Sequence, residues 1–127
     1  MANQTISQRR AAFALSKVQA KVGRPDDEVK KYKTVANAIP SYIQRNGIGQ
    51  AMAFALSKKE REVGWHWAYE CLQEWLRQEF RAQLSKPTLI EGLTSCDMQT
   101  YRLAQAEALA MLVWLRKFAR AMLTVQE

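Results

Sequence analysis

Residues that could carry out acid–base or metal chemistry are few in this sequence and are poorly placed for it. The one histidine, His66, has only the carboxylates Glu62 and Glu70 as helical neighbours four residues away. Glu70 and Glu74 stand beside Arg77, which is typical of a solvated ion-pair face. No nucleophile lies at a recognisable spacing from a base, and no glycine-rich loop follows a strand. We therefore predict that the chain is not an enzyme and has no metal site and no cofactor.

The cysteines and the apolar runs indicate the compartment. Cys71 and Cys96 have no metal-binding spacing, and a chain of this size needs no disulfide, so we predict free thiols in a reducing cytosol. The N-terminal residues lack the charged-then-apolar order of a signal peptide. The longest uncharged apolar run, Ala108 to Leu115, has eight residues, whereas a bilayer requires about 20. A cytoplasmic protein without a membrane partner is expected.

The basic residues are the most informative set. Lys and Arg number 19 against 12 Asp and Glu, which gives a net charge of +7 and favours a polyanionic partner. Seven of the basic residues align on the first and last predicted helices, and we predict that they follow an RNA phosphate backbone without reading bases. They are Arg10, Lys17 and Lys21 on the first helix, and Arg102, Arg116, Lys117 and Arg120 on the last. Solvated basic faces that bind nothing explain this pattern equally well.

One aromatic residue of the first helix faces away from the predicted core. Phe13 lies on the opposite side from Leu15, beside the small residues Ala12 and Ser16. Such a surface is typical of a contact with another protein. We predict that Phe13, Ala12 and Ser16 form an interface with a partner subunit.

The tryptophans are better explained by packing than by base stacking. Trp65, Trp75 and Trp114 fall on apolar helical stripes, where burial in the core is the usual role. For Trp67 and Tyr42 the pattern leaves both packing and stacking on bases open.

These residues must be positioned by helices, because helical periodicity covers most of the chain. At 127 residues the chain fits one all-α domain, residues 1–127. The first helix is predicted to follow a Thr5–Gln8 capping box and to end near Val22. Its core stripe comprises Ala11, Leu15, Val18 and Val22. The second helix follows Pro25 and is predicted to end near Ile39.

The middle of the chain is predicted to form three further helices. Pro40 opens a short helix that Asn46-Gly47 closes with a left-handed C-terminal cap. Ile48–Leu56 is a helix rich in small residues. A capping-box pattern at Ser57–Glu60 then introduces a long helix that ends near Leu84.

The C-terminal part is predicted to form a short and a long helix. Thr88 caps the short helix, which ends near Gly92 or Thr94, and Asp97 caps the last, which runs to about Thr124. The centre of the last helix, Ala108–Leu115, is apolar all round, so we predict that it is buried among the other helices.

Several strings, in this order, resemble a known family. They are Gln8-Arg-Arg-Ala-Ala-Phe-Ala-Leu15, Tyr32-Lys33, Ile39-Pro40, Asn46-Gly-Ile-Gly-Gln-Ala-Met-Ala-Phe54, Tyr101-Arg-Leu-Ala-Gln-Ala-Glu-Ala-Leu109 and Trp114-Leu-Arg-Lys-Phe-Ala119. Their succession is similar to the small helical subunit of the type III-B CRISPR effector, the Cmr complex. The segment from Ser57 to Cys96 departs most from the family.

The resemblance implies a single compact bundle of about six helices, copies of which stack along a crRNA-containing complex and help to hold target RNA. Its implied partners are other Cmr subunits, crRNA, target RNA and further copies of the chain. It implies no catalytic residue, since the family's cleavage and polymerase-like activities belong to other subunits. A helical protein-interaction adaptor without direct nucleic-acid binding is the alternative that the residues leave open.

Overall fold

The computed structural model describes residues 3–58 and 61–124 and contains six α-helices in that part of the chain. They are α1 (Ile6–Gln19), α2 (Asp26–Asn46), α3 (Ile48–Lys58), α4 (Val63–Glu79), α5 (Leu89–Ser95) and α6 (Met98–Met122). The described residues contain no strand. The prediction of an all-α fold with about six helices is confirmed.

Helix α1 begins as predicted and ends earlier. The Thr5 hydroxyl accepts a hydrogen bond from the Gln8 backbone N–H at 3.1 Å, and the Gln8 side chain accepts one from the Thr5 N–H at 2.9 Å. After Gln19 the chain turns toward Gly23, whose φ is 86°. This turn removes Val22 from the helical stripe and leaves it 52% exposed, so its predicted place in the core is wrong.

The core face of α1 is also rotated from the predicted stripe. Ala14 and Val18 are fully buried, whereas Ala11 and Leu15 are half-buried at its edge. Val18 is therefore the one member of the predicted stripe that lies in the core.

Helix α2 continues through Pro40, and the predicted break after Ile39 is wrong. A proline inside a helix removes one hydrogen bond and costs about 3 kcal/mol. The buried stripe nevertheless keeps its helical spacing on both sides of Pro40, with Val29, Tyr32 and Ile39 before it and Ile43 after it. Burial of both halves against the same core offsets the lost bond.

The end of α2 requires glycine, but not in the predicted conformation. Gly47 has φ 86° and ψ 158°, outside the left-handed helical region, and its N–H donates to the Ile43 carbonyl at 2.7 Å. The positive φ is the conformation that glycine tolerates.

Helix α4 is shorter than predicted at both ends. It begins at Val63, and the Ser57 hydroxyl donates to the Phe54 carbonyl of α3 instead of capping the next helix. Residues 59 and 60, which complete the predicted capping box, lie outside the described residues. The chain leaves α4 after Glu79, yet Leu84 is still buried.

The caps of the last two helices agree with the sequence. The Thr88 hydroxyl accepts from the Glu91 N–H, and the Asp97 carboxylate accepts from the Thr100 N–H at 2.7 Å. The hydrogen bonds from Thr100 favour the carboxylate form of Asp97 and hold its pKa below the ordinary value.

All six helices contribute to one hydrophobic core. Helix α6 packs against α1, α2 and α4, and α2 packs against α3 and α4. One face of α6 is buried along its length, as at Ala108 and Leu115, but Val113 is 50% exposed. The C-terminal helix is thus buried on one side, and the prediction that other helices surround its centre is wrong on the outer side. No described helix is long and apolar enough to span a bilayer.

Candidate nucleic-acid interface

A groove between α2 and α6 brings together three cations and no carboxylate. It has a volume of about 700 Å³ and is lined by Lys33, Thr34, Asn37 and Ala38 of α2 and by Arg116 and Arg120 of α6. Arg116 and Arg120 are one helical turn apart and exposed, and Lys33 is half-buried on the opposite wall. The groove is therefore a positively charged channel with donors on both sides.

The three cations are available to a ligand. Within residues 3–58 and 61–124, neither Lys33 nor the two arginines forms a salt bridge or a side-chain hydrogen bond. Guanidinium and ammonium groups are the usual partners of phosphate oxygens, and the arginine fork can bind two of them at once. This arrangement can hold the backbone of a nucleic acid without contacting base edges.

Lys33 was not among the predicted RNA contacts. The signal that could have found it is weak, because Lys30, Lys31 and Lys33 follow one another near the start of α2. Only the packing of α2 against α6 shows which of these lysines meets Arg116 and Arg120.

Arg10, in contrast, is part of an internal ion pair. Its guanidinium donates two hydrogen bonds to the Glu107 carboxylate, at 2.7 and 2.8 Å, and Trp75 Nε1 donates to the same carboxylate at 3.0 Å. The Arg10 and Glu107 side chains are 23% and 12% exposed. This contact joins α1, α4 and α6, so Arg10 has a structural role, and its contact with RNA stays a prediction.

The protonation of Glu107 reflects the same contacts. Burial acts to raise the pKa of this carboxyl group, but the hydrogen bonds from Arg10 and Trp75 and the charge of Arg10 outweigh it. The pKa of Glu107 is consequently lower than ordinary. The pKa of Arg10 is raised, chiefly by its hydrogen bond to Glu107. Both groups are held in their charged forms.

Lys17 of α1 and Lys21, in the turn that follows α1, also contact neighbouring helices. Lys17 forms an ion pair with Glu74 of α4, and the Lys21 ammonium lies 5.1 Å from the centre of the Tyr32 ring. Both line a cleft of about 440 Å³ between α1 and α4 that also contains the carboxylate of Glu70. This cleft contains carboxylates as well as cations, so it differs from the purely basic α2–α6 groove and is less suited to phosphate.

The remaining basic residues of α6 are separated by position. Lys117 is exposed beside Arg116 but is turned by about 100° around the helix. Arg102 is 14 residues before Arg116, about 21 Å along the helix axis, and lines a different cleft. The structure thus brings together Arg116 and Arg120 of the seven predicted contacts.

The predicted protein interface on α1 is divided. The Phe13 ring packs against Trp75, with centroids 5.0 Å apart, and the Lys17 ammonium lies 5.2 Å from its centre. Phe13 therefore joins α1 to α4, whereas Ala12 and Ser16 are exposed. An interface at Ala12 and Ser16 stays a prediction.

Two aromatic residues left open by the sequence are engaged in packing. Trp67 is 6% exposed and meets the edge of Tyr32 at 5.1 Å. Tyr42 is half-buried and stacks on Phe54 at 4.9 Å, with Trp65 beside them. Their packing assigns these rings to the fold.

The two thiols are expected to differ in reactivity. Burial raises the pKa of Cys71 to about 12, and burial together with the charge of Asp97 raises the pKa of half-buried Cys96. Since the thiolate is the nucleophile, iodoacetamide at about pH 8 should alkylate Cys96 slowly and Cys71 hardly at all in the folded protein. Mass spectrometry after timed alkylation measures both, and unfolded protein is the control. Equal rates at the two sites would contradict the burial of Cys71.

No cluster of metal-binding side chains occurs in the described residues. His66 pairs with Glu70 across one turn of α4, on an exposed surface. This pair lacks further ligands there and resembles an ordinary helical contact.

Comparison with known proteins agrees with this arrangement of helices. A family model described as CRISPR-associated protein (Cas_Cmr5) matches residues 6–122. The match runs from the first turn of α1 to the last residue of α6, so it includes the middle segment that departs most from the family strings. This chain therefore belongs to the Cas_Cmr5 family of CRISPR-associated proteins, the small structural subunits of the Cmr complex.

Proposed function

We propose that this chain is a non-catalytic subunit that stacks with copies of itself along the crRNA-containing Cmr complex in the cytoplasm. In that position it binds the backbone of target RNA through the α2–α6 groove. The contact is electrostatic and independent of base sequence.

The observation that carries the proposal is the groove itself. Lys33, Arg116 and Arg120 come from two helices, line one channel and have no carboxylate among their lining neighbours. Four cations elsewhere on the bundle, Arg9, Arg10, Lys17 and Arg24, instead pair with glutamates. A glutamate partner competes with phosphate for a cation. Lys33, Arg116 and Arg120 have no such partner in residues 3–58 and 61–124, so we expect them to bind phosphate more readily than those four residues.

The experiment is a triple charge reversal, Lys33→Glu, Arg116→Glu and Arg120→Glu, in the reconstituted Cmr complex. Target-RNA affinity is measured at several salt concentrations from about 50 to about 300 mM. For single strands, log K changes with log salt by about 0.7 per phosphate contact, so the slope should fall by about 2 for each copy that contacts the target. Affinity at the lowest salt should fall at least about tenfold.

A matched control separates the groove from net charge. Arg45, Arg81 and Lys86 are exposed and lie outside the groove, and reversing them to glutamate changes the net charge equally. This control should keep the wild-type slope. Equal losses in the two triple variants, or no loss in either, would refute the groove as the RNA contact and favour the adaptor alternative.

A further inference from the structure

The outer face of α6 combines exposed apolar side chains with cations. Of the five large apolar residues that are exposed in residues 3–58 and 61–124, three lie on this helix: Met98 is 67% exposed, Leu103 53% and Val113 50%. Met98 and Val113 share one side of α6, whereas Leu103 is turned by about 80° from Val113. Exposed apolar groups on one helix face are typical of a contact with another macromolecule.

The spacing of this face continues over four turns. Met98, Arg102, Ala106, Leu109 and Val113 follow one another at three or four residues, so they share one side of α6. A cleft of about 370 Å³ runs beside them, lined by Met98, Tyr101, Arg102, Gln105, Ala106 and Leu109. We call this stripe and its cleft the outer α6 face.

Two residues that line the cleft, Tyr101 and Gln105, are fixed by hydrogen bonds from α3. The Tyr101 hydroxyl accepts a hydrogen bond from the Gly49 N–H at 2.8 Å, and Gln105 Oε1 accepts one from the Ile48 N–H at 2.9 Å. Both bonds satisfy donors at the first turn of α3. The cleft is therefore formed before any partner arrives, which reduces the entropy lost on binding.

The charge of the face is of one sign. Arg102 lies within the stripe, and Arg116 and Lys117, three and four residues after Val113, continue it toward the α2–α6 groove. Glu107, the one carboxylate in Met98–Met122, is turned inward to Arg10. A binding partner should therefore present carboxylates around an apolar centre.

These properties fit a protein segment better than RNA or a second copy of this chain. The side chains of the stripe are aliphatic, and aliphatic groups do not stack on bases as aromatic rings do. A second copy brings the same positive charge. Two of its exposed acidic residues, Glu70 and Glu74, already contact His66 and Lys17.

We propose that the outer α6 face docks an acidic, amphipathic helix of another Cmr subunit. The apolar side of that helix lies along the cleft between Met98 and Val113, and its aspartates or glutamates meet Arg102 and Lys117. Arg102 then belongs to a protein contact about 21 Å along the helix axis from Arg116 of the RNA groove.

The test places a photo-crosslinking amino acid at Ala106, which is exposed at the middle of the face. The full chain is assembled into the Cmr complex, irradiated, and analysed by mass spectrometry. The expected product joins Ala106 to a segment of a different subunit in which acidic residues flank apolar ones at helical spacing. A crosslink to RNA or to a second copy, or no crosslink, would overturn the proposal.

Charge reversal then tests the chemistry of the contact. The double variant Arg102→Glu and Val113→Glu should reduce crosslinking from position 106 at least about tenfold. Gln44→Glu, at an exposed position of α2, should leave it unchanged. Reversing the acidic residue of the captured segment to arginine should restore crosslinking to a subunit that carries Arg102→Glu alone. Loss without such rescue would overturn the acidic character of the partner. Both substituted residues are exposed, so thermal unfolding of the free subunit serves as the check on folding.

Discussion

Replacing Gly64 with alanine is expected to destabilise the protein by about 2 kcal/mol, although alanine is the better helix former. Gly64 is buried in the first turn of α4, where α4 meets α2. An added Cβ would lie 2.4 Å from the Lys31 carbonyl oxygen and 2.7 Å from Val35 Cγ2. The gain in helix propensity is about 1 kcal/mol, whereas overpacking against a backbone atom costs about 3 kcal/mol, so the steric effect dominates.

The measurement is urea unfolding of the purified subunit, with Gly92→Ala as the control. The added Cβ at Gly92 would meet the Leu84 side chain at 3.3 Å, and that flexible side chain can move. Gly92→Ala should therefore change the unfolding free energy by less than about 1 kcal/mol. Equal effects at the two glycines would show that α2 and α4 do not approach as closely as described.

The contact at Gly64 also affects the candidate RNA site. Lys33 lies between Lys31 and Val35, the two residues that an alanine at position 64 would displace. Relief of the clash requires a shift of α2 relative to α4, and that shift moves one wall of the α2–α6 groove. A folded Gly64→Ala variant should accordingly bind target RNA less tightly within the complex.

Local signals in the sequence were sufficient to predict the starts of α1, α5 and α6, but not that of α4. Thr5, Thr88 and Asp97 each cap a backbone N–H three residues ahead, so the relevant information lies within one turn. The signals failed where burial acts over a longer range. Pro40 continues α2 because Ile39 and Ile43 share one buried stripe, which no pattern of breakers reveals.

The candidate site was predictable only in part for the same reason. Arg116 and Arg120 share a helix face by their spacing alone, whereas Lys33 joins them through the packing of α2 against α6. Arg10 looked equivalent to them in sequence. Its partner Glu107 is 97 residues away, so the charge pattern could not distinguish an internal ion pair from a ligand contact.

The Arg10–Glu107 pair carries the second large prediction. Glu107→Gln keeps the shape of the side chain but removes its charge, and we expect a loss of about 2 kcal/mol near neutral pH. The pKa of Glu107 is lowered by folding, so the stabilisation is present above the ordinary carboxyl range and disappears as the pH falls through the folded-state value. The difference between wild type and variant, measured by urea unfolding, should shrink at about pH 3.

Glu79→Gln is the matched control, since Arg9 binds Glu79 with the same two-bond geometry, at 2.8 Å for each bond. Arg9 is 43% exposed and no tryptophan donates to Glu79, so we expect a loss below about 1 kcal/mol. If the Glu107 and Glu79 variants behave alike, the Arg10 pair contributes little to the fold and Arg10 is free to contact RNA. A larger, pH-dependent loss of unfolding free energy for Glu107→Gln would instead show that the Arg10 pair stabilises the fold. That result favours Lys33, Arg116 and Arg120 as the residues that contact the target backbone.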